Sequence, residues 1–100
     1  MFSYKVYKSN EDVMLAISDT YLIGKRFEEN DMQLKVPEDF YSGSTCDRNE
    51  AVKLIKDATI INAVGNNIIS LMIEKNLIEK DRVLKIGGVP HAQIVSVRQS

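Results

Sequence analysis

The chain has 100 residues, 44% of them hydrophobic, and a formal net charge of −1. That length suits one domain with a real core. The charge balance argues against broad nucleic-acid binding, which needs an excess of Lys and Arg, and leaves room for one local basic patch. No apolar run approaches the roughly 20 residues that span a bilayer, so the expectation is a soluble, cytoplasmic protein.

In chain order, Phe2, Tyr4 and Val6 alternate with polar residues and share one face of a strand. The opening reads as a strand and not as a signal peptide, for which a basic start and a longer apolar run are expected. Lys8–Asp12 is polar and turn-prone, and Val13, Leu15 and Ile17 alternate again, so residues 2–18 are expected to form a β-hairpin. Leu22–Glu28 reads as a short irregular strand bent at Gly24. Asn30-Asp31 is a turn. Met32, Leu34 and Val36 form a strand stopped by Pro37. Phe40 and Tyr41 fall in a loop over 37–46 and are expected to cap the core.

Asp47-Arg48-Asn49-Glu50 has the form of a capping box, and Ala51, Leu54, Ile55 and Ala58 follow at helical spacing. Ile61, Val64, Gly65, Ile68 and Met72 continue the stripe, and Asn76-Leu77 resembles a left-handed cap. One helix over 47–76 would run about 45 Å, against a radius of gyration of about 13 Å for a domain of this size. A break is therefore expected near Asp57-Ala58-Thr59, with Asp57 or Thr59 capping a second helix. Strands at Arg82–Ile86 and Gln93–Val97 close the chain. The fold class is α+β: N-terminal β-strands, two central helices and a C-terminal β-hairpin in a single compact domain, 1–100.

The densest cluster of special residues is Gly87-Gly88-Val89-Pro90-His91. Pro90 fixes its own φ and restricts Val89, while the glycines reach backbone angles closed to other residues. Together they would hold the lone imidazole in a defined direction. His91 is thus a candidate binding residue, and the side chain best matched to proton transfer near neutral pH. The alternative is a ring that anchors the loop. Gly87-Gly88 offers amides to an anion or, more simply, a tight turn between strands. Lys25 and Arg26 beside Gly24 form a cation pair suited to a phosphate or to a solvated strand edge. On the second predicted helix, Asn62 and Asn66 share a face. With Gly65, whose usual justification is close approach by another element, they read as a seat for a loop. The His91 loop is the leading candidate and contact with a ligand the alternative, so Asn62 and Asn66 stand with Gly87, Gly88, Pro90, His91, Lys25 and Arg26 as candidate binding residues.

No nucleophile frame surrounds Ser42-Gly43-Ser44, and the catalytic residues stay unknown. The single His and single Cys match no zinc spacing, so no metal and no cofactor is expected. Cys46 reads as a small buried apolar residue.

Gly24-Lys25-Arg26-Phe27, Phe40-Tyr41-Ser42-Gly43, Ala58–Gly65 and Ile86–Gln93 occur in an order that resembles an archaeal family, domain of unknown function 424. The likeness covers nearly the whole chain. In that family's pattern an acidic residue follows the helix glycine; Asn66 stands there in this chain, so no catalytic carboxylate carries over. The resemblance implies a cytoplasmic archaeal protein of one domain and no settled activity. The expectation is a non-enzymatic binding module attached to an RNA–protein or translation assembly, with His91, Lys25 and Arg26 on its contact surface. The alternative is a small-molecule-binding protein or enzyme using a His91 pocket. A third reading is a homo-oligomer held by exposed sheet edges. No membrane partner is expected.

Overall fold

The computed structural model describes residues 1–95. Strands β1 (Phe2–Lys8) and β2 (Val13–Asp19) form the expected hairpin, in register from Phe2↔Asp19 to Lys8↔Val13. A 3₁₀ turn at Thr20–Leu22 leads through a bend at Gly24 (φ +82°) into β3 (Arg26–Glu29), which pairs with β4 (Met32–Lys35) as a separate two-stranded hairpin. Next come a short α1 (Glu38–Tyr41), β5 (Ser44–Cys46), α2 (Arg48–Asp57), β6 (Ile60–Val64), α3 (Asn66–Glu74), a 3₁₀ turn at Lys80–Arg82, β7 (Leu84–Ile86) and β8 (Val89–Val95).

Six strands form one sheet in the order β5-β1-β2-β6-β8-β7. Among the described residues only β2 and β6 run parallel; every other neighbour in this sheet is antiparallel. Helices α2 and α3 cover one face, where Phe2, Leu15, Ile17, Ile61, Ala63 and Ala92 pack with Ile55, Ile68, Leu71 and Met72. The opposite face carries Ala16, Val64 and Val89 against Leu22, Leu34, Val36 and Tyr41. The β3–β4 hairpin and α1 therefore form a third layer. The fold is α+β, and its radius of gyration is 12.9 Å.

Several local expectations hold for their stated reasons. The Asp47 side chain accepts from the Glu50 N–H at 2.9 Å, and α2 ends at Asp57. Asn76 takes φ +57°, while Leu77 N–H donates to Met72 C=O and Asn76 N–H to Ile73 C=O. This pair of bonds is the Schellman closure of a helix. Tyr41 is buried in the second core, as a cap should be.

Other boundaries are corrected. The segment after Asp57 does not resume as a helix. Residues 60–64 form a strand in the middle of the sheet, and α3 starts only at Asn66, with Gly65 rather than Asp57 or Thr59 at its cap. A central strand is buried on both faces, so its apolar residues run on nearly continuously. Their 61/64/68/72 spacing mimics a helix by coincidence with the real helix that follows. The loop over 37–46 contains α1 and the edge strand β5. The strand expected from Arg82 begins at Leu84, and the last strand begins at Val89 instead of Gln93; residues 96 and 97 lie outside the described residues.

Candidate functional site

Strand β8 carries the sequence's most conspicuous motif. The turn before it is the two-residue link between β7 and β8, with Gly87 at φ +59° and Gly88 at φ +80°. Two consecutive positive φ angles make the type I′ turn, whose twist matches that of the flanking strands. A Cβ at residue 87 would lie 3.3 Å from both the Phe27 Cβ and the Glu28 C=O, so the turn rests directly on β3. The Gly87 N–H donates to Glu29 Oε1 at 2.8 Å. The amide that the sequence offers to an external anion is thus held by the chain's own carboxylate.

Pro90 pairs with Lys85 across β7, and its C=O accepts the Gly65 N–H at 2.9 Å. The nitrogen and carbonyl of one strand residue point to the same side. The N–H that Pro90 lacks would therefore face Gly65 too. The Gly65 C=O instead accepts from Ile69 N–H, the first turn of α3. Proline ends the β6–β8 ladder where the chain leaves the sheet for the helix, and no bond to β7 is lost.

His91 pairs with Val64 on one side and Leu84 on the other. By strand alternation from Val89, its ring lies on the hairpin face. The residue is half-buried, and Nε2 is buried with no hydrogen-bond partner among the described residues. Burial lowers its pKa below the usual 6.5.

Gly65 brings its backbone tightly against the Asp19 side chain. Its φ is +126°, and a Cβ there would stand 2.5 and 2.8 Å from the two Asp19 carboxylate oxygens. Asp19, only 1% exposed, accepts from the Asn67 N–H through Oδ2 and the Ile68 N–H through Oδ1, both at 2.9 Å. A carboxylate at a helix N-terminus satisfies orphan amides and the helix dipole together. Sequence reading missed Asp19. Its bonds reach 48 and 49 residues along the chain, and no local motif encodes such a cap.

Asn62 and Asn66 do not share a helix face. Asn62 lies on β6 between Ala16 and Gln93 and reaches Met14 Sδ at 3.5 Å. Asn66 is the exposed first residue of α3. The expected seat therefore reduces to Gly65, which meets both Asp19 and Pro90 of the His91 strand.

Lys25 and Arg26 stand at the base of the β3–β4 hairpin. With Gly24, Lys35, Val36 and Pro37 they line an open depression of about 300 Å³; His91 is not part of its wall. Lys25 Nζ sits 5.8 Å from the Tyr21 ring centroid, and Arg26 Nη2 is 3.7 Å from Glu28 Oε1. Cys46 is buried at the β5 edge, and burial, with Glu50 and Asp47 nearby, pushes its thiol up to about 11. Among the described residues no three His, Cys, Asp or Glu side chains gather as a metal site. No helix there is long and apolar enough to cross a membrane.

These features define an α+β domain with a glycine turn docked on an accessory hairpin and a cationic hairpin base. The chain belongs to the family described as protein of unknown function (DUF424), whose model matches residues 7–97. It is similar over 99% of its length to an uncharacterized conserved protein from Methanopyrus kandleri. That crystal structure is covered over 96% of its chain, at 25% identity and a TM-score of 0.78. No curated protein matches the chain.

Proposed function

We propose that this chain is a non-enzymatic binding module of the archaeal cytoplasm that docks onto RNA within a ribonucleoprotein assembly. The observation that carries the reading is the placement of Lys25, Arg26 and Lys35 around one open depression in a chain whose net charge is −1. A local cationic cluster on an otherwise acidic surface directs an anionic partner to one place. The depression is open, which suits a macromolecular contact better than the sequestering of a small substrate. Affinity purification from the native organism, with bound RNA and proteins identified, tests it. Wild type is expected to retain RNA that the Lys25→Glu/Arg26→Glu double variant loses. Equal retention by both would overturn the reading.

A second reading, a ligand held at His91, has one observation in its favour: the unpartnered Nε2. A small molecule that co-purifies with wild type and is lost from His91→Val would favour it. Self-association through sheet edges has little to build on, since β5 and β7 are three residues each and Lys85 sits mid-edge on β7.

A further inference from the structure

We infer that Arg26 and Lys35 form a seat for the RNA phosphodiester backbone: two cations held directly opposite each other whose mutual repulsion a phosphate relieves, with Lys25 as the third contact and no reading of bases. The inference rests on the RNA reading above and specifies its chemistry.

The register of β3 and β4 sets Arg26 against Lys35 and Phe27 against Leu34. Directly opposite side chains share a face. Phe27 and Leu34 turn inward to the second core, so Arg26 and Lys35 project outward together. Like charges directly opposite on an antiparallel pair are destabilising. The compensation present is small. Arg26 meets Glu28 at 3.7 Å with both side chains about 60% exposed, and Glu28 Oε1 also takes a long 3.4 Å bond from Gln33. Lys35 makes no ion pair among the described residues.

The backbone fixes the two residues opposite each other. Gly24 N–H donates to Val36 C=O at 2.7 Å, and Val36 N–H to Lys25 C=O at 3.0 Å, closing the hairpin base. Gly24 has open space where a Cβ would sit, so a partner's backbone reaches the cations unobstructed. Among the described residues no amide side chain lines the depression, and the exposed Tyr21 ring lies beside it against Lys25 Nζ. Lys and Arg reach phosphate whatever the base sequence, and a single exposed ring stacks any base without choosing among them.

The test combines thermal melting with fluorescence-anisotropy titration of a short oligouridylate, a short oligoadenylate and a short RNA duplex. Lys35→Glu turns the repelling pair into an attracting one. It is expected to raise Tm by about 1–6 °C while weakening RNA binding about tenfold at low salt. The slope of log K against log salt should flatten by about 0.7–0.9 for each cation removed. Lys53→Glu, the same charge change on an exposed position of α2, should leave RNA affinity unchanged. The two single-stranded probes should bind alike. Binding that ignores Lys35→Glu, a lowered Tm in that variant, or a strong preference between oligouridylate and oligoadenylate would overturn this inference alone. Failure of wild type to bind any of the three RNAs at low salt would overturn it together with the reading it rests on.

Discussion

The Asp19 carboxylate occupies the space that a side chain on residue 65 would need. Asp19 ends β2, Gly65 follows β6, and the two strands are parallel neighbours. Sheet and helix layers are thus joined at one point, where the acid accepts the first amides of α3 and the glycine makes room for it.

Gly65→Ala should destabilise the fold by at least about 2 kcal/mol. Two costs combine: a φ of +126° that L-residues rarely adopt, and contact with a buried carboxylate. Asp19→Ala should cost about 2–4 kcal/mol by leaving buried amides unsatisfied. In the Asp19→Ala background Gly65→Ala should cost less than in wild type, because the contact is gone and only the backbone penalty remains. Urea unfolding of the four proteins measures the coupling. Strict additivity would show that the carboxylate and the glycine do not constrain each other.

The two glycines of the β7–β8 turn should not be equivalent. Both have positive φ, but only residue 87 faces neighbours, Phe27 and Glu28 at 3.3 Å. Gly88→Ala is expected to cost about 1 kcal/mol, the backbone penalty alone. Gly87→Ala should cost about 2 kcal/mol or more, since the turn must also lift off β3. Equal denaturant midpoints for the two variants would mean that the turn does not bear on the accessory hairpin.

His91 predicts a pH dependence. Burial lowers its folded-state pKa below 6.5, so below pH 6.5 the unfolded chain takes up a proton that the folded chain resists. Its contribution to stability therefore falls as pH drops below 6.5 and is constant above it. His91→Val removes a buried nitrogen that has no partner and places a β-branched residue on a strand. At neutral pH its stability should match or exceed wild type within about 1 kcal/mol, and its advantage should grow below pH 6.5. A loss of more than about 1 kcal/mol at neutral pH would instead make the imidazole an anchor of β8.

Much of this fold is legible in sequence because local physics decides it. The alternation of Phe2–Val6 and Val13–Ile17, the Asp47 cap and the Asn76 closure each lie within a few residues of their cause. What escapes is set at long range. Ile60–Val64 looks helical because burial on both faces erases the period of two. Thr59-Ile60-Ile61, a β-branched run closed by Gly65, was the available counter-signal. The site divides the same way. The glycine turn, Pro90 and His91 stand out in sequence, whereas the close approach at Gly65 is expected there from a mid-helix penalty that does not apply, since Gly65 precedes α3 at φ +126°. Asp19 carries no local mark, and the third cation, Lys35, becomes visible only when the register sets it opposite Arg26.

The parallel pairing of β2 with β6 has a consequence for the order of assembly. β1 and β2 meet across a four-residue connection, whereas β6 reaches β2 only after the intervening 40 residues, 20–59, have been gathered in. Closing that loop has an entropic cost before any contact rewards it. The β1–β2 ribbon is thus expected to form first as a template, with β6 joining late, once its helix-like stretch has been drawn into extended form. Kinetic φ-values should be high at Val6 and Leu15 and low at Ile61 and Ala63. Truncations at Ile61 or Ala63 would then chiefly hasten unfolding and leave the refolding rate almost unchanged.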